Sequence, residues 1–143
     1  MAKPSVIGLY GYSNSGKTTL IEQLILEFKT RGKKIAVIKQ SGHEISMDSP
    51  GKDTQRFSQS GADPVILASV SETDIKIHKP LGISEITKII ADVQYVDIIL
   101  VESARDKEIK KIRIGDIELR ENTIWTYDGN FDELIDRILN GGD

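Results

Sequence analysis

The run Gly11-Tyr12-Ser13-Asn14-Ser15-Gly16-Lys17-Thr18 fits the pattern G-x-x-x-x-G-K-[ST] in full, directly after a strand-like segment and at the start of an amphipathic one. Each fixed position answers a physical need of polyphosphate binding. Several backbone N–H donors must converge on the phosphates, and a glycine-containing loop is what curls tightly enough to aim them. Gly11 and Gly16 serve the turn, the amides of Ser13, Asn14 and Ser15 supply donors, and the N-terminus of the following helix adds the positive end of its dipole. Lys17 places a point charge near the β- and γ-phosphates, the Thr18 hydroxyl has the reach to ligate a Mg²⁺ that bridges them, and Thr19 can donate to a further phosphate oxygen. The four constrained positions arise by chance in well under about one chain in a hundred of this size.

A Mg²⁺–nucleotide site also calls for an acid at the carboxyl edge of the sheet, where ligands collect in open α/β folds. The segment 97–102 is a buried strand with an acid at each end. Glu102, at its C-terminal end, is on the ligand side, and Asp97 is expected to face away. Asp48, in the loop after the second strand, is a second candidate, able to hold a metal-bound water. That loop, 43–53, is polar and long for an α/β connection, which suggests a functional segment. Within it Asp53 is placed to cap a helix over 54–60, while His43 reads as an ordinary surface residue and Lys52 as solvated or near a phosphate. The charge run 105–113, with five basic and two acidic residues, reads as a solvated face or, just past Glu102, as a lining for an anionic substrate or a partner.

These side chains need a scaffold, and the chain supplies the elements of one. Segments 6–10, 34–39 and 65–70 are rich in β-branched residues and alternate with segments of helical period, the signature of a largely parallel α/β sheet. Leu20, Ile21, Leu24, Ile25 and Phe28 form one apolar stripe, with Gly32 as a stop. Ile83, Ile86, Ile89, Ile90 and Val93 mark a second helix, begun near Ser84. Phe131, Leu134, Ile135, Ile138 and Leu139 mark a last one, with Asn130 as N-cap and Glu133 as its capping-box partner. The segment 111–120 alternates apolar and polar around Gly115-Asp116 and reads as a short hairpin. The expectation is a single domain over 1–143 with a three-layer P-loop NTPase fold, a mostly parallel sheet and a small β-hairpin excursion.

Composition narrows the function. The 143 residues hold 19 Lys+Arg against 22 Asp+Glu, a net charge of -3, so no global positive field draws nucleic acid. With no cysteine and two histidines, thiolate zinc sites and cysteine nucleophiles are excluded and a histidine-built metal site has little to work with. The apolar run 98–101 is far short of the roughly 20 residues that span a bilayer. The first residues carry no signal-peptide pattern, and the reading is a cytoplasmic protein without a membrane role.

Beyond the loop, the residues 11–20, Ala36-Val37-Ile38-Lys39, Asp48-Ser49-Pro50-Gly51-Lys52-Asp53 and Gly61-Ala62-Asp63 resemble the molybdopterin-guanine dinucleotide biosynthesis adapter family, MobB. The likeness runs through about the first 70 residues and weakens toward Val101-Glu102. It implies a GTP-binding P-loop protein with weak intrinsic hydrolysis, a homodimer that assists the guanylyltransferase attaching GMP to molybdopterin. By position, Lys17 and Thr18 inherit phosphate and Mg²⁺ roles, and Asp48 and Glu102 acidic roles near the metal. The chain departs from the family in keeping one histidine in Gln40-Ser41-Gly42-His43, in reading Val101-Glu102-Ser103 for Val-Glu-Gly, and in its shorter C-terminal region.

No Asn-Lys-x-Asp occurs, so the guanine-reading carboxylate has no motif. Asp128, at the end of a late strand, is the positional candidate, with a turn-forming role before Gly129 as the alternative. Two other function classes share the loop. A small-molecule kinase needs a mobile lid bearing arginines, for which 103–113 is the lid-sized segment. A nickel-insertion GTPase is suggested by Val101-Glu102-Ser103, but the chain offers few soft ligands for it.

Overall fold

A computed structural model describes residues 3–42 and 52–142. In chain order the elements are β1 (Ser5–Gly11), α1 (Lys17–Thr30), β2 (Ile35–Lys39), α2 (Lys52–Gln59), β3 (Val65–Ala68), β4 (Thr73–Lys76), α3 (Ile83–Val93), β5 (Ile98–Glu102), β6 (Lys111–Ile114), β7 (Thr123–Thr126) and α4 (Phe131–Leu139). They fall into two compact units, one of residues 1–42 and 83–143, the other His43–Gly82.

The larger unit is a five-stranded sheet in the order β2-β5-β1-β6-β7, parallel at every pairing. The odd residues of β1, Ile7 and Leu9, join Ile98, Leu100, Ile112 and Ile114 on one face, where α1 and α4 cover them with Leu20, Ile21, Leu24, Phe28, Leu134, Ile135 and Ile138. Ile99 and Val101 point to the opposite face, against Ile83 and Val96, with Ile86 and Ile90 of α3 at the margin. Each such side chain, once buried, contributes about 2 kcal/mol. The expected three-layer α/β arrangement is therefore present, and so are the expected apolar stripes, except that Ile89 and Val93 of α3 lie exposed. Asn130 caps α4 by accepting from Glu133 N–H at 3.1 Å, and α1 gives way at Arg31 to Gly32, whose φ of 73° only glycine adopts cheaply.

The step from β5 to β6 contains no helix. Residues 103–110 cross directly over β1 as a strap, with Ala104 and Ile109 buried. The crossing depends on Gly8: a Cβ there would run into the Cβ of Ala104 and lie 3.3 Å from Lys111 Cγ.

Two expectations are corrected. The segment 111–120 is not a hairpin, because β6 lies between β1 and β7 and is parallel to both. Its alternation is that of an inner strand, and Lys111, the polar residue that suggested an exposed face, is fully buried beneath the strap. Segment 65–70 does not join the main sheet. Its strand, β3, pairs antiparallel with β4 across a turn closed by Ser69 N–H to Glu72 O at 2.9 Å and by the Ser69 hydroxyl. The hairpin excursion is thus present, built from 65–76 in the smaller unit, where α2 packs on β3.

Candidate phosphate-binding site

β1 ends at Gly11, and the chain turns at once into the loop that leads to α1. Gly11 must be glycine because a Cβ would sit 2.7 Å from the carbonyl oxygen of Ile114 on the neighbouring β6. Ser15 N–H closes the first bend onto Tyr12 O at 3.2 Å, Asn14 takes a φ of 65°, and Gly16 takes 84° as the N-cap of α1. No other described atom lies within 4 Å of where a Gly16 Cβ would be, so conformation, not crowding, selects glycine there. The first turn carries no acid, and with Leu20 N–H spent on Gly16 O at 3.0 Å, the amides of Lys17, Thr18 and Thr19 and the helix dipole are left to an anion. Ser13, Asn14, Ser15, Thr18 and Thr19 are all exposed around this mouth.

Lys17 is the residue on which the site converges. Its ammonium donates to Ser103 Oγ at 2.9 Å and to Gly11 O at 3.4 Å, and lies 3.8 Å from Glu102 Oε1. The structure thus brings Gly11, Lys17 and Glu102 together at the carboxyl ends of β1 and β5, as the strand pattern implied. Asp97 stands at the other end of β5, accepting from Lys34 N–H at 2.7 Å and Tyr95 O–H at 2.7 Å. Those two donors, the Lys34 amide first, hold its carboxyl below the usual range, and the bond to the carboxylate in turn raises the Tyr95 phenol.

Asp48 and His43 fall outside the described residues. Asp53 lies in the first turn of α2. Asp128 follows β7, two strands from β1 on the same edge, with its Oδ1 accepting from Asn130 N–H at 2.9 Å beside Gly129 at φ 94°. This is an Asx turn, and nothing in it brings Asp128 into contact with the loop among the described residues. For a Mg²⁺ the chain offers hard oxygens, the Thr18 hydroxyl and the Glu102 carboxylate. Among the described residues no three His, Cys, Asp or Glu side chains converge on a metal position. That donor set suits an ion carried chiefly by the phosphates of its own nucleotide.

Sequence reasoning gave Ser103 no role in the site. Its position in the left-handed region, φ 60°, where the related pattern has glycine, is the signal that marks it. The reading of 105–113 as a solvated face also fails at Lys111. Its ammonium donates to the carbonyls of Asp106, Ile109 and Glu121, tying the strap to the 117–122 connection, and burial lowers its pKa. With Ala104, Ile109 and Lys111 all anchored, 103–113 is not built as a mobile lid.

Compared with known proteins, residues 6–135 match the family model described as molybdopterin guanine dinucleotide synthesis protein B. The chain is 38% identical to the molybdopterin-guanine dinucleotide biosynthesis adapter protein of Haemophilus influenzae, across 94% of this chain and 79% of that one. It is 36% identical to the putative adapter protein of Methanocaldococcus jannaschii, across 92% of this chain but only 51% of that one. Among solved structures, Bacillus subtilis MobB superposes with a TM-score of 0.72 at 17% identity, covering 96% of this chain and 97% of that chain. No helix among the described residues is long and apolar enough to cross a membrane.

Proposed function

Because the chain belongs to the molybdopterin guanine dinucleotide synthesis protein B family, we propose that it is a cytoplasmic, GTP-binding adapter in molybdenum-cofactor guanylation. It works with the guanylyltransferase as protein partner, as a homodimer and as a single functional domain over 1–143. The observation that carries the nucleotide part is Lys17, positioned by Gly11, Glu102 and Ser103 at the mouth of a loop whose open amides cap a helix.

In this reading, the backbone amides of Ser13, Asn14, Gly16, Lys17 and Thr18 and the Lys17 ammonium bind the phosphates, Ser15 N–H closes the loop that aims them, and Thr19 donates to a further oxygen. Thr18 and Glu102, with Asp48, are the residues of this chain that would hold a Mg²⁺ brought by the nucleotide, which would supply charge neutralisation to the phosphates. Asp128 reads guanine through its second carboxylate oxygen while the first keeps its turn. Hydrolysis is weak, since Gln40 Oε1 already accepts from Arg105 N–H at 2.8 Å instead of orienting a water. The anchored strap over β1 argues against the kinase alternative, and the absence of cysteine argues against nickel delivery.

Calorimetric titration of GTP and of ATP, each with Mg²⁺, into the wild type and Lys17→Ala tests the reading. GTP is expected to bind more tightly than ATP and to lose its binding in the variant, with turnover below about 1 per second. Preference for ATP would overturn the guanine assignment, and failure of both nucleotides to bind would overturn the site.

A further inference from the structure

Two arginines outside the loop are held in place with no carboxylate partner among the described residues. Arg105, on the strap, lies with its guanidinium flat against Gly42: a Cβ there would meet Cζ and Nη2 at 2.9 Å. Its backbone is fixed by the N–H bond to Gln40 Oε1 at 2.8 Å. Arg120 is half-buried, its Cζ 4.7 Å above the centre of the buried Tyr10 ring, and its Nη1 donates to Ala104 O at 2.9 Å. The Tyr10 hydroxyl in turn accepts from Arg120 N–H at 3.0 Å, which fixes the backbone as well. Ala104 adjoins Arg105 in the chain, so the bond from Arg120 brings the two cations to the same part of the strap. Arg120 feels its neighbour: after burial, the charge of Arg105 is the next cause lowering its pKa.

Two cations held at one part of the strap with no carboxylate partner favour an anion beside them, and a guanidinium has five donors, of which Arg120 spends one on Ala104. We infer that Arg105 and Arg120 form a second anion site, separate from the P-loop, for a phosphate dianion: the end group of a phosphomonoester or inorganic phosphate. Two planar forks suit a tetrahedral dianion, which balances both charges, better than a carboxylate, which balances one. A nucleic-acid backbone needs a continuous basic track, which two arginines in a chain of net charge -3 do not supply. The strap joins the two sites in sequence, since it starts at Ser103, where the P-loop lysine is held.

The test uses the full chain labelled with ¹⁵N-arginine, titrated at constant ionic strength with phenyl phosphate and, separately, with inorganic phosphate. Side-chain Nε–Hε signals of Arg105 and Arg120 are followed in the wild type and in Lys17→Ala. Both signals are expected to shift saturably, and to do so equally when Lys17 is gone. In Arg105→Gln, an exposed change that leaves the backbone bond to Gln40, the Arg120 signal should report binding weakened about tenfold or more. Tighter binding of phenyl phosphate identifies a phosphomonoester end group, and tighter inorganic phosphate identifies the free ion. Shifts that vanish in Lys17→Ala would assign the phosphate to the P-loop and overturn the second site. Absence of saturable shifts, or an affinity unchanged in Arg105→Gln, would overturn it too.

Discussion

Lys17 and Ser103, 86 positions apart, are joined by a 2.9 Å hydrogen bond, so the cation of the loop is already held by the end of β5 before any phosphate arrives. A bound phosphate has to compete with that bond. Ser103 also occupies a φ of 60°, which costs an L residue roughly 1 kcal/mol. In Ser103→Gly the lost bond and the relieved backbone oppose one another, and stability should stay within about 1 kcal/mol of wild type. Nucleotide affinity should tighten about three- to tenfold by calorimetry, because the lysine is released. Weaker binding would instead mean that the hydroxyl aims Lys17 at the phosphate.

Asp128→Asn separates two roles of one side chain. Asparagine keeps an oxygen for Asn130 N–H, so the turn and the stability should hold within about 0.5 kcal/mol. Loss of the carboxylate should weaken GTP about tenfold or more and leave ATP unchanged. Equal losses for both nucleotides would show that Asp128 does not read the base.

Gly8→Ala sets a methyl group against Ala104 beneath the strap. Overpacking of this kind should lower stability by about 2 kcal/mol in urea denaturation. Adding Ala104→Gly should recover most of that loss, and a double variant no better than the single one would place the cost elsewhere.

Lys111→Met keeps the buried stem and removes the ammonium that serves the carbonyls of Asp106, Ile109 and Glu121. Relief of a buried charge offsets part of the damage, but three acceptors lose their donor. The net expectation is a loss of about 2–3 kcal/mol. Amide exchange should quicken first in 104–110, and uniform quickening would argue against a local staple.

Asp97 gives a pH dependence of known sign. Its folded pKa is held below the ordinary 3.8 by the Lys34 amide first and the Tyr95 hydroxyl second. Its contribution is therefore complete above the unfolded value and is lost as pH falls through the lower, folded one. Asp97→Ala should be less stable than wild type at pH 7, with the gap narrowing on acidification below about pH 4. A gap that does not change with pH would mean that the carboxylate charge is not involved.

The elements that sequence made legible share one property: a local pattern decides them. The stripe of α1, the Asn130–Glu133 cap and the glycine loop each fit within a turn or two of chain, and each is where the pattern put it. What was not legible depends on distant partners. Lys111 reads as solvated until the strap and the 117–122 connection supply carbonyls for its ammonium. Segment 65–70 reads as one more parallel strand until β4 is found four residues beyond β3. At the site, Lys17 follows from the glycine-loop pattern and Glu102 from strand polarity, whereas Ser103 emerges only from a bond that spans most of the chain.

The place of β1 in the sheet also dictates when the site can exist. Its neighbours are β5, in register Ser5 with Ile98, and β6, in register Gly8 with Lys111. The strand that carries the loop is made before α1, yet both of its pairing partners lie beyond residue 97. Loop closure over such separations is slow compared with formation of α1. During synthesis the loop and its helix therefore wait as an unanchored fragment, and a chain that stops short of residue 98 has neither the strand beside Gly11 nor the Glu102–Ser103 pair that holds Lys17.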